Sequence, residues 1–302
     1  MAKISVAAGV ALALVAGSAF AADLPSRKAP PPVFVPPAPS FTWNGLYGGI
    51  NIGYGFGAGN NGTGGFIYPS PSAAPGFSAA WNSPQNLNGV TGGGQVGYNF
   101  QFSPWLVVGV EADIQAADIN SQSNVVGATT SPSTAFAATR AGGPILHSAF
   151  VNSAKSVDWW GTVRGRLGVT LPSWPNLLVY GTGGFAYGQV DQTVSVADIF
   201  LTGPVGGAVI GRAKSFGTKT GWTAGGGVEW SPLAFPAWSL KVEYLYTDLG
   251  STNVLIPGVL TTFVVPGWAG SHSSPTQFHT VRAGLNWHFN PFAAPAPVLA
   301  KY

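Results

Sequence analysis

The chain has 302 residues, with 43 Gly, 25 Pro, no Cys, 46% hydrophobic residues and only 8% charged ones. Soluble domains usually carry about 25% charged residues and disorder needs high charge with low hydrophobicity, so neither class fits. The missing Cys excludes disulfide scaffolds, zinc-thiolate sites and a cysteine nucleophile. A net charge of +3 with 13 scattered Lys+Arg is too small for a nucleic-acid footprint, so no nucleic acid is expected as a partner.

Residues 1–21 read as a secretory signal: Lys3 opens it, Ile4 to Ala16 is an unbroken apolar run, and Ala19-Phe20-Ala21 follows the small-x-small cleavage rule. The cut is expected after Ala21, with Ala22 as the alternative. A membrane anchor would need about 20 apolar residues. Residues 22–42 are rich in proline (Pro25, Pro30, Pro31, Pro32, Pro36, Pro37, Pro39) and read as an extended periplasmic linker. A Pro-x-x-P ligand is the other reading of that stretch.

From Trp43 onward no apolar run reaches 18 residues, so a transmembrane helix is not available. Eight stretches alternate at period two instead, at about 43–57, 88–102, 105–116, 155–170, 177–190, 218–230, 238–248 and 278–289. Each is long enough for a tilted membrane-crossing strand, which needs ~9–11 residues. In the third, Leu106, Val108, Val110 and Ile114 oppose Glu111, Asp113 and Gln115; in the fourth, Trp159, Val163, Leu167 and Val169 oppose Thr162, Arg164 and Arg166. The last sets Val281, Ala283, Leu285, Trp287 and Phe289 against Thr280, Arg282, Asn286 and His288.

Alternation by itself does not say which face is inside. A soluble lipocalin-like barrel would hide the apolar face, but three features favour a membrane barrel. Charges on the apolar faces fall only at segment ends (Lys155, Asp248). The polar faces carry a matched set, Glu111, Asp113, Glu229 and Glu243 against Arg164, Arg166, Lys241 and Arg282. Aromatics cluster at the ends of the apolar faces in two girdles: Phe100, Trp230, Trp238 and Phe289 near the termini, and Tyr54, Phe56, Trp159, Tyr187, Trp222, Tyr244 and Tyr246 at the far side. Three short proline-containing turns (Pro104; Pro172 to Pro175; Pro232 to Pro236) alternate with four long connections, at about 58–87, 117–154, 191–217 and 249–277.

The expected fold is thus an all-β, eight-stranded antiparallel transmembrane β-barrel, with short periplasmic turns and four long extracellular loops. The barrel covers 43–289, and 290–302 is a Pro/Ala-rich tail. Both termini are expected in the periplasm. Arg164 and Arg166 should face Glu111 and Asp113, and Lys241 should sit near Glu229.

Several stretches carry a family resemblance. Trp43-Asn44-Gly45-Leu46-Tyr47-Gly48-Gly49-Ile50-Asn51-Ile52-Gly53-Tyr54, the Ala22-Asp23-Leu24-Pro25 start, Gly181-Thr182-Gly183-Gly184-Phe185-Ala186-Tyr187-Gly188 and the closing Val281 to Phe289 resemble the outer-membrane immunogenic proteins of rhizobial and brucella-like bacteria. The resemblance spans 22–289. It implies an abundant, surface-exposed, antigenic OmpA-like barrel of the porin-like group. It also implies that Val281, Leu285, Trp287 and Phe289 form an assembly signal read by the barrel-assembly machinery. In that family the last aromatic normally ends the chain. Here Asn290 to Tyr302 follow, so the signal is read internally or Tyr302 substitutes for it; prolines in the tail favour the internal reading.

The leading functional expectation is a structural and surface-interaction role without catalysis or cofactor. Its partners would be outer-membrane lipids and lipopolysaccharide, with host or surface partners at the loops. A narrow channel is the alternative, against which stands the filled lumen usual for eight strands. A lipid A hydrolase using His272, Ser273 and Ser274 is a weaker reading, since a triad needs a spatial constellation. Haem capture by His147 or His272 is another, for which the four histidines show no ligand spacing.

Overall fold

The computed structural model describes residues 41–68, 77–130, 147–200, 208–260 and 264–289. The signal, nearly all of the linker and the tail lie outside them.

Among the described residues ten strands form one antiparallel sheet: β1 (Gly45–Gly57), β2 (Asn60–Tyr68), β3 (Phe77–Gln85), β4 (Gly89–Ser103), β5 (Leu106–Thr130), β6 (His147–Leu171), β7 (Trp174–Phe200), β8 (Ala208–Trp230), β9 (Trp238–Leu260) and β10 (Val264–His288). The ring has eight members, closed where β1 pairs with β10 through Tyr47↔His288 to Gly57↔Phe278. The other two strands lengthen it. β2 takes over from β1 along β10 at Thr63↔Ser273 to Ile67↔Ala269, and β3 meets β5 at Ser78–Ala80. Four long connections do alternate with three short turns, but most of their length is itself strand. The wall therefore rises well past the membrane-facing belt.

Alternation builds the belt. Ile50, Ile52, Val96, Val110, Ile114, Val163, Leu167, Val228, Leu240 and Val242 all point outward and are exposed. Such a band is stable only in hydrocarbon. The turn-end girdle holds Phe100, Trp230, Trp238 and Phe289, all exposed, and gains Phe102, Trp105, Trp174 and Trp287. At the far rim Tyr54, Phe56, Trp222 and Tyr244 are exposed, whereas Trp159, Tyr187 and Tyr246 are half-buried against neighbours. Trp159 packs on Tyr187 at 6.0 Å and Trp222 on Tyr246 at 5.2 Å. His279 joins this rim, stacked on Phe56 at 5.2 Å and bonded to the Tyr244 hydroxyl at 2.6 Å.

Register shifts fall just beyond that rim in β5 (Ala116 to Ile119), β6 and β9, and the last two shape the interior. In β6 the register shifts between Val157 and Trp159, which reverses the facing of everything above it. Lys155, expected outside on the fourth apolar face, therefore points inward and is buried. The membrane span of β6 consequently ends at Trp159, short of the expected 155. In β9 the shift falls between Asp248 and Ser251, where Gly250 has φ +74° and donates its N–H to Asp248 Oδ1. A left-handed residue at a bulge favours glycine.

Candidate functional site

The interior is the candidate site, and it is layered. At the turn end Trp43, Val107, Leu178 and Tyr180 pack together, and Trp43 Nε1 donates to Pro175 O at 2.9 Å. Phe41 stands edge-on to Trp43 and Thr42 Oγ1 donates to Gln101 Oε1 at 3.0 Å, so these two residues of the expected linker already belong to the barrel.

The charged layer comes next, four acids against four bases, all buried. Glu111 is its centre. Arg164 Nη2 lies 2.5 Å from Glu111 Oε1, Arg166 Nη1 3.3 Å from Oε2, and Lys241 Nζ 2.9 Å from both oxygens. Asp113 Oδ2 takes Arg164 and Arg282, each at 3.0 Å, and Thr162 at 2.7 Å. Glu243 takes Arg164 at 3.0 Å, Arg282 at 2.6 Å and the Tyr180 hydroxyl at 2.9 Å. Glu229 takes Arg166 at 2.7 Å, with Ser239 and Asn286 donating to its other oxygen.

Arg164 and Arg166 thus meet Glu111, as period-two reasoning expects. Lys241 differs: it is in register with Glu229, yet its ammonium extends to Glu111. Several members escape sequence reasoning. Tyr47 donates to Glu111 Oε2 at 2.7 Å, and the Arg166 guanidinium lies 3.9 Å above the Tyr180 ring. Both tyrosines share the inward parity of their strands, which was the available signal. Glycine makes their seats: a Cβ on Gly97 would strike the Tyr47 hydroxyl, and one on Gly227 would come within 2.7 Å of the Tyr180 hydroxyl.

Above the charges lies an apolar layer of Leu87, Ile119, Val157, Trp160, Ala186, Val190, Leu245, Leu249 and Phe278, with Trp160 edge-on to Phe278 at 5.4 Å. A neutral polar layer follows, crossed by Lys155. Its Nζ donates to Ser274 O at 3.1 Å, Ser274 Oγ at 2.8 Å and Pro275 O at 2.8 Å, with Thr276 Oγ1 at 3.2 Å. Burial, reinforced by Lys219, lowers the Lys155 ammonium to about 7. A second apolar layer, including Phe66, Trp81, Val151, Val194, Val196, Val254 and Ile256, closes the far part.

His272 was expected in a loop. It lies instead on β10, buried and facing inward. Its Nδ1 accepts from Trp81 Nε1 at 3.1 Å, and burial lowers its imidazole to about 4. Ser274 Oγ serves Lys155 and donates to Gln85 Oε1 at 3.0 Å, so these residues do not form a histidine–serine pair. His147 begins β6. Val281, Leu285, Trp287 and Phe289 line the outer face of the closing strand, where Phe289 N donates to Leu46 O at 3.0 Å.

The sequence matches the family described as outer membrane protein beta-barrel domain over residues 9–289. It is 35% identical over 279 residues to the 31 kDa outer-membrane immunogenic protein of Brucella melitensis, covering 92% of this chain and 96% of that one. It is 27% identical to the 25 kDa outer-membrane immunogenic protein of Brucella abortus, covering 85% and 89% respectively. Among solved structures, the outer membrane protein OprG from Pseudomonas aeruginosa aligns at 12% identity and a TM-score of 0.36, covering 81% of this chain and 97% of that one.

Proposed function

Because the chain belongs to the outer membrane protein beta-barrel family, we propose that it is a closed, non-conducting barrel of the outer membrane whose raised wall is a surface-exposed, antigenic contact face. One observation carries this reading. The lumen is filled along its height by three apolar clusters and the charged layer between them. An ion crossing it would meet two hydrocarbon layers, and a charge entering such a medium loses most of its hydration.

The turns are short at the end that carries Phe41 and Phe289, the arrangement that faces the periplasm in barrels of this kind. On this reading both termini lie in the periplasm and the raised wall lies outside the cell. The role proposed is non-catalytic, in keeping with Ser274 Oγ being engaged by Lys155 and Gln85 rather than by His272, whose Nδ1 takes Trp81. The belt meets outer-membrane lipids and lipopolysaccharide. The closing strand with Val281, Leu285, Trp287 and Phe289 is what the barrel-assembly machinery reads, and the loop ends meet host or surface partners.

Planar-bilayer recordings test the closed lumen. Baseline current is expected, and steady openings that change when Glu111 is neutralised would favour the narrow channel. The chain has no cysteine, so single Thr220→Cys and Ser173→Cys variants report orientation. A membrane-impermeant maleimide should label only the first on intact cells; labelling of Ser173→Cys alone would reverse the assignment.

A further inference from the structure

The ladder of the wall lapses along one line beyond the rim. β8 and β9 pair from Trp230↔Leu240 to Trp222↔Asp248, and then not again until Gly211↔Gly258, while β7 and β8 stay laddered without a break. Along the lapse the inward residues of β8, Ser215, Gly217, Lys219 and Gly221, are half-exposed. Counting from the pairs at either end, Gly217 stands opposite Thr252 of β9. A Cβ at Gly217 would meet no atom within 4 Å, so the inner side of the wall has room at this point. Strand edges without a ladder partner also leave backbone N–H groups unpaired.

The residues around that opening are donors. Gln192, in register with Lys155 on one side and Ser215 on the other, is fully buried with neither amide atom bonded. Thr252 Oγ1 is buried and unpartnered too. Buried polar groups in folded proteins are nearly always bonded, so both side chains call for a partner. Thr252 is in register with Ser274, to whose Oγ the Lys155 ammonium donates at 2.8 Å after crossing the lumen. The oxygens that Lys155 meets on Ser274, Pro275 and Thr276 are all neutral, and the charge acting on it is the like charge of Lys219. Among the described residues no carboxylate points into this layer. Asp158 and Asp191 lie on the outer face beside Lys214, and Asp248, outward at the foot of the lapse, is held by Gln277 Nε2 and Gly250 N–H. Asp198 is inward, but about 20 Å further along β7, past Val194 and Val196 of the second apolar layer. Two ammonium groups thus share one stretch of lumen without a counter-charge, a costly state for a buried charge.

We propose that the raised wall holds a binding site for a small monovalent anion of the halide class, seated inside the lapse at Gly217 among the Thr252 hydroxyl, the Gln192 amide N–H and the ammonium groups of Lys155 and Lys219. The donor set selects the ligand. Hydroxyl, amide and ammonium groups each offer single-point donation, which suits a small spherical ion. No guanidinium among the described residues faces this layer, and the planar fork that recognises phosphate or carboxylate bidentately is therefore missing from it. The half-exposed edge at Ser215, Gly217 and Lys219 gives the ion its way in. Below, Leu87, Trp160 and Phe278 of the apolar layer stop it. The site binds without conducting, and it does not depend on which way the barrel faces in the membrane.

The test is chloride NMR line broadening by the full chain purified in detergent, at about pH 6, below the value of about 7 to which Lys155 is lowered, so that its ammonium is charged. The protein should broaden the chloride signal. Bromide should displace chloride and restore the narrow line, whereas gluconate, too bulky for the opening, should not. Lys155→Met should weaken binding by about tenfold or more, the scale of one charge-assisted hydrogen bond. Thr252→Val and Gln192→Leu, which keep every charge, should each weaken it as well. Lys214→Gln, on the outer face, should leave it unchanged. Heat-modifiable gel migration identifies the folded variants, and the two uncharged substitutions decide the matter if Lys155→Met does not fold. Absence of broadening by the wild-type protein, displacement by gluconate as readily as by bromide, undiminished binding by the folded lumen variants, or loss of binding in Lys214→Gln would each overturn the proposal.

Discussion

Lys241 stands in register with Glu229 on the adjacent strand, yet its ammonium lies 2.9 Å from both carboxylate oxygens of Glu111 across the lumen. Glu229 meanwhile takes Arg166 from another strand. The layer is therefore a web spanning the barrel rather than a set of neighbouring-strand pairs, and losing one member strands charges on several strands. Arg164, which touches Glu111, Asp113 and Glu243, is the test. Arg164→Ala should cost about 3–5 kcal/mol, the scale for a buried ion pair that loses one partner. Urea unfolding in detergent, read by gel migration, would contradict this if the midpoint stayed put.

The seats for the inward tyrosines make a second test. Gly97→Val would drive a side chain into the Tyr47 hydroxyl and the Val110 carbonyl, 2.7 Å from the position of the new Cβ. Tyr47 would have to leave Glu111. The folded fraction after refolding should drop sharply, by more than the ~1–3 kcal/mol typical of overpacking, because a charged-layer bond breaks as well. Refolding yields equal to wild type would count against the tight seat.

Membrane depth can be read by placing one charge at two heights. Val110, in the belt, is 60% exposed, and Phe216, beyond the far girdle, is 66% exposed. Arg at the first position should cost about 2–4 kcal/mol in lipid, and at the second close to nothing. Similar costs measured in vesicles would move the membrane boundary.

The two depressed bases of the raised wall fix a pH dependence. Burial, with Lys155 adding to it, takes His272 from 6.5 to about 4, and burial, with Lys219 adding to it, takes Lys155 from 10.5 to about 7. Within each window the unfolded chain holds a proton that the folded chain lacks, so stability rises with pH across about 4 to 6.5 and again across about 7 to 10.5. Unfolding midpoints in detergent should climb in both. His272→Phe should flatten the lower window and Lys155→Met the upper one. A wild-type midpoint that falls with pH in either window would refute the assignment.

Alternation between lipid and lumen is local information, and it determined the strands, their facing and the membrane belt: Val108, Val110 and Ile114 against Glu111 and Asp113 can be read directly from the chain. The same reasoning stops where the contrast stops. Asn120-Ser121-Gln122-Ser123-Asn124 is polar on both faces because no hydrocarbon surrounds it, so the upward run of β5 carries no periodic signal even though it is strand. The tertiary structure decided three further things. The bulge at Val157–Trp159 turned Lys155 inward, an offset of one residue that pairing partners impose. Lys241 passed its register partner for Glu111, because side chains in a narrow lumen reach several strands at once. The β8–β9 ladder lapses between Trp222 and Gly211 while β7 and β8 stay paired, a relation between strands that neither sequence segment contains.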